Sequence, residues 1–225
     1  MDNQDCLLPR EQSRQPRAIM KLRANFAFPS RSRKSGFSLV ELLLSLAVLL
    51  VLTTIAVPIV VRSLQVYQLN ASAAQLAGLL KFTRFEAIRQ NTPVSMQVQQ
   101  QGSNWLIWAD SNGDGTPNGS EQRMIVGGSA FTLLPSGSVP SPAPIQTSLG
   151  GNSSTPWTVV SGSNGNVNYD QRGVLNFGGG PATVYALYLG SSTNPSLGYR
   201  VVITLPSGTV QVWTSTSATS WQRIS

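Results

Sequence analysis

The run from Phe37 to Val61 is almost wholly apolar, and Glu41 is its single charge. As an α-helix rising ~1.5 Å per residue it is about 37 Å long, enough to cross a ~30 Å hydrocarbon layer with some tilt. Arg31, Arg33 and Lys34 stand just before it, whereas Arg62 alone flanks the far end. Basic residues stay on the cytoplasmic side, so residues 1–36 are expected there and the remainder beyond the membrane. A secretory signal fits poorly: its core is only ~7–15 residues and ends at a small-residue cleavage site, which IAVPIVVRS does not supply. An ordinary signal anchor leaves Glu41 unexplained. A carboxylate at the centre of such a span costs ~2.5–3.5 kcal/mol, and less near an interface, so it calls for a partner.

The charge distribution narrows the function. The isoelectric point of about 10.2 invites a nucleic-acid reading. Yet eight of the 16 basic residues precede Gly36 and only Asp2, Asp5 and Glu11 oppose them, which places +5 of the formal +7 in that leader. The rest of the chain is nearly neutral and makes no basic module. The leader has no apolar periodicity and reads as disordered. Met20 is an alternative start, leaving MKLRANFAFPSRSRKSG. The single cysteine, Cys6, also lies there, and the chain has no histidine. That removes intrachain disulfides, histidine metal sites and histidine-based catalysis.

Helical patterning continues past the span. RSLQVYQLNASAAQLAGLLKFTRFEAIRQN has no breaker before Asn91-Thr92-Pro93. Leu64, Tyr67, Ala71, Ala74, Gly78, Phe85 and Ile88 fall on one stripe, and Leu69, Ala73, Leu76, Leu80 and Ala87 on a neighbouring one. Together they predict a broad apolar face lying on a sheet, within one helix from Phe37 to Gln90. Pro58 is expected to bend or locally open it. After Pro93 the pattern shifts to short strands between Gly, Ser, Asn and Pro turns. VSMQVQQ, WLIWA, QRMIVG, FTLLP, NVNYD, VLNFG, TVYALYLG, YRVVITL and TVQVWTS are the expected strands. Residues 135–157 read as a long loop and residues 216–225 as a flexible tail. The domain plan is therefore 1–36 leader, 37–61 membrane half, 62–92 outer half of the helix, 93–215 β domain and 216–225 tail. The fold class is α+β, a long N-terminal helix packed on an antiparallel β-sheet domain.

SGFSLVELLLSLAV behind a basic leader, with a long helix and a β domain after it, resembles the type IV pilin superfamily. The resemblance implies that prepilin peptidase cuts between Gly36 and Phe37, where a residue without a side chain admits the backbone to a tight cleft. It also implies N-methylation of Phe37 and a helix kink at Pro58. Glu41 then stands about one turn from the new amine and pairs with the ammonium of a neighbouring subunit during filament assembly. Burial makes such a pair sensitive to register. KFTRFEAIRQNTPVSMQV narrows the likeness to the GspH/FimT family of minor pilins and pseudopilins, whose pattern runs AR-EAI-RN-PV. Thr83-Arg84 and Phe85 depart from it, while Glu86-Ala87-Ile88-Arg89 and Asn91-Thr92-Pro93-Val94 match. WLIWADSNGDGTPNGSEQRMI and VNYDQRGVLNFG resemble later segments of that family.

The implied role is structural rather than enzymatic: a minor pseudopilin of the type II secretion pseudopilus, anchored once in the inner membrane with its β domain in the periplasm. Its implied partners are prepilin peptidase, other pseudopilins or pilins and the inner-membrane assembly platform. A type IV pilus subunit, serving assembly or DNA uptake, is the alternative within the class; an anchored ligand-binding module that never assembles is the alternative outside it. DNA binding is disfavoured, because Thr209 and Gln211 stand where some relatives carry arginines, and Arg200 and Arg223 are dispersed. One further motif is Asp110, Asn112, Asp114, Gly115, Thr116 and Glu121, which fits the twelve-residue calcium-loop template with oxygens at alternate positions. Its flanks read as strands rather than EF-hand helices, and the same residues build turns for backbone reasons alone. A plain hairpin loop is the reading that competes with calcium there.

Overall fold

The structure is a computed structural model that describes residues 36–128, 130–135, 138, 159–176, 184–191, 193–216 and 220–224. The leader before Gly36 and most of the expected 135–157 loop lie outside the described residues. Helix α1 runs from Leu39 to Gln90 through Pro58 without interruption. Proline has no N–H, so the Thr54 carbonyl lacks its usual donor there. Among the described residues nine strands follow: β1 (Val94–Gln101), β2 (Asn104–Asp110), β3 (Arg123–Gly127), β4 (Thr132–Leu134), β5 (Asn164–Tyr169), β6 (Tyr185–Gly190), β7 (Tyr199–Thr204), β8 (Val210–Ser215) and β9 (Gln222–Arg223). They form two antiparallel sheets rather than one, ordered β3-β2-β1-β5 and β4-β6-β7-β8-β9.

Local chemistry explains where α1 stops. Asn91 adopts φ 52°, the left-handed conformation that asparagine tolerates better than most residues. The Asn91 N–H then donates to the Ile88 carbonyl and the Thr92 N–H to the Ala87 carbonyl. That is a Schellman closure, and Pro93 bars continuation. The chain enters β1 at once.

One core joins the helix to both sheets. Leu69, Leu76 and Leu80 are fully buried among Met96, Ile107 and Val167 of the first sheet and Leu133, Leu187, Leu189 and Val202 of the second. Each such leucine contributes roughly 1.5–3 kcal/mol relative to exposure. A second cluster, including Tyr188, Val201, Ile203 and Trp221, lies on the opposite face of the second sheet. The alternation along β7 makes the division: Val202 faces the helix core, while Val201 and Ile203 face away.

Three expectations are corrected. Only one of the two helical stripes is buried. Leu69, Ala73, Leu76, Leu80 and Ala87 pack inward, but Leu64, Tyr67, Phe85 and Ile88 remain exposed. A helix against a sheet presents a limited arc, and two stripes exceed it. Of VLNFG, residues 174–176 are described and form no strand but an isolated bridge, Tyr169 to Leu175, because the Asp170–Gly173 turn takes both the N–H and the carbonyl of Val174. Asp170 Oδ1 accepts N–H groups from Arg172 and Val174 at 2.9 Å each. Finally, the tail expected to be flexible returns to the sheet. β9 pairs with β8, the Ile224 N–H donates to the Val212 carbonyl, and Trp221 packs edge-on against Tyr188.

The TRFEAIRQN segment is a structural joint. Thr83 is buried and its hydroxyl donates to the Leu79 carbonyl, while Arg84 Nε donates to the Gly173 carbonyl. Gly208, at φ 78°, passes so close to that carbonyl that a Cβ there would sit 2.1 Å from it. Glu86 is buried and accepts hydrogen bonds from Arg89 and Gln90.

Candidate functional site

Two places gather the chemistry-bearing residues. The first is the start of α1. The Leu42 N–H donates to the Ser38 carbonyl at 3.1 Å, so Ser38 caps the helix and Glu41 falls in its first turn. A carboxylate at that end is favoured by the helix dipole. Gly36 and Phe37 precede the helix, and the Phe37 ring is 82% exposed. Among the described residues Glu41 has no ion-pair partner: the one ion pair there is Arg89 with Glu86. Four residues of helix place Glu41 about 6 Å along the axis from Phe37.

The helix beyond Glu41 is built for an apolar solvent. The large hydrophobic side chains between Leu39 and Val61 are all exposed. The hydroxyls in this stretch turn inward on the helix itself: Ser45 donates to the Leu42 carbonyl, Thr53 to Leu50 and Thr54 to Val51, at 2.8–2.9 Å. That removes three donors which lipid could not satisfy. The helix is long and apolar enough to cross a membrane.

The second place is the loop between β2 and β3. It brings Asp110, Asp114 and Glu121 together, with one oxygen of each within 4.8 Å of the others. The donor set suits a hard, oxygen-seeking cation. The buried carboxylates also accept backbone N–H groups. Asp110 accepts the Gly113 N–H at 2.8 Å and the Gly115 N–H at 3.1 Å, one on each oxygen. Glu121 accepts the Ser111 and Asn118 N–H groups in the same divided way. Asn112 and Thr116 turn to Asp114: Nδ2 of Asn112 donates to one of its oxygens, and both the N–H and hydroxyl of Thr116 to the other. These bonds, led by the Thr116 N–H, hold the Asp114 carboxyl below its usual pKa. These bonds brace the loop from within.

Sequence reasoning passed over a third place. Asn70, Ala73, Ala74, Ala77 and Lys81 of α1, Arg200 of β7, Val212 of β8 and Ile224 line a cavity of about 400 Å³. Its residues come from four separate segments, so no local spacing announces it.

With this geometry in hand, comparisons with known proteins are informative. The family model described as type II transport protein GspH matches residues 72–208, more than half of the chain. The model of the prokaryotic N-terminal methylation motif matches residues 31–57. No curated protein matches. The crystal structure of the type IV minor pilin FimU of Pseudomonas aeruginosa aligns over 71% of this chain and 90% of its own, at 14% identity and a TM-score of 0.32, a likeness too distant to argue from.

Proposed function

The chain belongs to the type II transport protein GspH family, and from that premise we propose that it is a minor pseudopilin of a type II secretion pseudopilus. Prepilin peptidase would cut between Gly36 and Phe37, and Phe37 would be methylated on its new amine. The observation that carries this reading is Glu41. It is an exposed carboxylate with no ion-pair partner among the described residues, one turn from Phe37 at the head of an exposed apolar helix. A charge so placed is costly in lipid. The ammonium of a neighbouring subunit's processed N-terminus would supply the ion-pair partner that no described residue provides. Before assembly the helix anchors the protein in the inner membrane with its β domain in the periplasm, and the assembly platform and other pseudopilins are its partners.

The test is Glu41→Ala in the native host. The precursor should still be shortened at Gly36, since the cut site is intact, while filament incorporation and secretion fall at least tenfold. Normal secretion and incorporation would sink the filament role and leave an anchored module. Pull-down of the wild-type chain with candidate partners then separates the two systems: type II pseudopilins are expected, and recovery of pilus subunits alone would move it to a type IV pilus.

For the Asp110–Glu121 loop we propose a closed hairpin connection, supported by the four backbone N–H groups that Asp110 and Glu121 accept. Calcium titrated into the full chain should give no saturable heat up to millimolar concentration. A saturable heat lost in Asp114→Asn would assign the loop to calcium instead.

A further inference from the structure

The first sheet ends on an edge that nothing among the described residues covers. In the order β3-β2-β1-β5, strand β3 has a neighbour on one side only. The other edges are short or shielded: β4 and β9 have three and two residues, and along β5 the Asn168 carbonyl accepts the Asn176 N–H. The ladder fixes which groups of β3 face outward. The Ala109 N–H donates to the Gln122 carbonyl at 2.9 Å. The same register sets Ile107 against Met124 and Trp105 against Val126. Antiparallel pairs alternate between bonded and non-bonded, so Gln122, Met124 and Val126 turn their N–H and carbonyl groups to β2. Those of Arg123 and Ile125 point to the open side. An edge with free donors and acceptors is a template for another strand.

The surroundings suit an extended chain. Ile125 is 67% exposed, although it lies in the middle of β3. Val126 belongs to the helix-facing core, so Met124 shares that face, and Arg123 and Ile125 lie on the other. Between β3 and α1 runs a groove of about 550 Å³, lined by Gly78 and Leu79 of the helix and Met124 of the strand. A Cβ at Gly78 would meet nothing within 4 Å. Glycine is a poor helix former, and here it leaves the groove empty. Arg123 is exposed and has no ion-pair partner among the described residues.

We propose that β3 accepts an antiparallel strand from a different polypeptide. In chain order that strand carries an apolar residue beside Ile125, an apolar residue over Gly78 and a carboxylate beside Arg123. The backbone of β3 selects the extended conformation, the groove selects the middle side chain, and charge complementarity selects the last. A second copy of this chain does not fit. Two β3 strands pairing antiparallel are related by a two-fold axis perpendicular to the sheet. The outer half of α1 lies along the sheet face, so the copy's helix would run the opposite way. The two apolar spans could not then enter one membrane.

Fluorescence anisotropy of the labelled peptide Thr-Val-Val-Leu-Glu-Thr against the full chain in nanodiscs tests the pairing. A saturable rise is expected. N-methylation of the peptide's third and fifth residues removes the N–H groups that would meet β3, and should weaken binding at least fivefold. Ile125→Pro should do the same from the protein side. It breaks no ladder bond, because the Ile125 N–H faces away from β2. Gly78→Phe fills the groove, leaves the edge intact and should also weaken binding. Arg123→Glu should lose about threefold, and regain it with a peptide in which lysine replaces the glutamate. Matching far-ultraviolet dichroism spectra check that the variants keep the fold. No saturable binding, or binding that survives both N-methylation and Ile125→Pro, overturns the proposal. A photo-crosslinker at Ile125 in the native host then reads the natural occupant. Attachment to an apolar-apolar-acidic segment of another protein is expected, and attachment to a second copy of this chain overturns the choice of partner.

Discussion

The two halves of α1 carry one carboxylate each and place them in opposite surroundings. Glu86, in the outer half, is buried and held by Arg89 and Gln90 of the same helix. Glu41, in the membrane half, is exposed and has no ion-pair partner among the described residues. The apolar residues divide likewise. Leu76 and Leu80 are fully buried by the chain's own sheets, while Leu44 is 66% exposed. One half is complete within the chain; the other, on the proposed reading, is completed from outside it. The outer half therefore answers to stability measurements, and the membrane half to assembly.

The largest expected effect follows from denying the membrane half its outside partner. Gly36→Leu puts a side chain at the proposed cut, so the precursor should keep its basic leader and Phe37 should never become an amine. Intact mass spectrometry should find only the long form, with assembly abolished and the melting temperature of the β domain unchanged. Normal shortening of this variant would break the link between Gly36 and Glu41. Next in size is Leu76→Ala against Leu44→Ala. The first should cost about 2–5 kcal/mol, because it removes buried methyl groups and leaves a cavity. The second should lie within about 0.5 kcal/mol of wild type, as exposed positions do. Thermal melts of the full chain in detergent make the measurement, and equal losses would abolish the distinction between the halves.

That distinction was half legible in the sequence. The apolar run announces a helix suited to an apolar surrounding, and Glu41 within it is the basis of the proposed outside partner. Periodicity then found both stripes of the outer half, but it cannot say which arc meets a sheet. Leu69 and Tyr67 look equally suitable until tertiary packing buries the one and leaves the other 71% exposed. Strand alternation marked β1 and β2 well, yet it cannot reveal that nine strands divide into two sheets. Leu175 sits in a good strand pattern, but the Asp170 carboxylate captures the neighbouring N–H groups for a turn. The tail is rich in serine and threonine, which hid the anchoring role of Trp221. The Asp110–Glu121 template was plain, but whether its oxygens face a cation or the backbone is decided by loop geometry. The Lys81–Arg200 cavity was invisible, since it joins residues more than a hundred positions apart.

A smaller effect sharpens the comparison through pH. Hydrogen bonds from Arg89 and Gln90 outweigh burial and bring the Glu86 carboxyl down to about 2 from 4.5. A depressed carboxylate stabilises the fold fully above its unfolded pKa and progressively less as pH falls from about 4.5 toward 2. Glu86→Gln should therefore cost about 1–2 kcal/mol at neutral pH, a typical figure for losing charge-assisted hydrogen bonds. The difference from wild type should shrink below pH 4.5 and vanish near pH 2. A gap that persists unchanged to pH 2 would mean that the shape of the side chain, not its charge, holds the joint.

The smallest effect belongs to the exposed stripe of the outer half. Tyr67 and Phe85 are 71% and 65% exposed, although they share the helix with Leu76 and Leu80. Replacing either by serine removes apolar surface that already faces solvent, so hydrophobic transfer predicts almost no loss. Tyr67→Ser and Phe85→Ser should each change stability by less than about 0.5 kcal/mol in dilute detergent solution. A loss above about 1 kcal/mol would mean that the stripe is covered in solution after all. Because binding to the folded state raises stability with concentration, melts at two protein concentrations tell self-association from burial within one chain. A shift with concentration in wild type, absent from Phe85→Ser, would extend the external dependence of the membrane half to the whole length of α1. No shift confines it to the residues before Arg62, where the apolar run ends and the sequence turns polar.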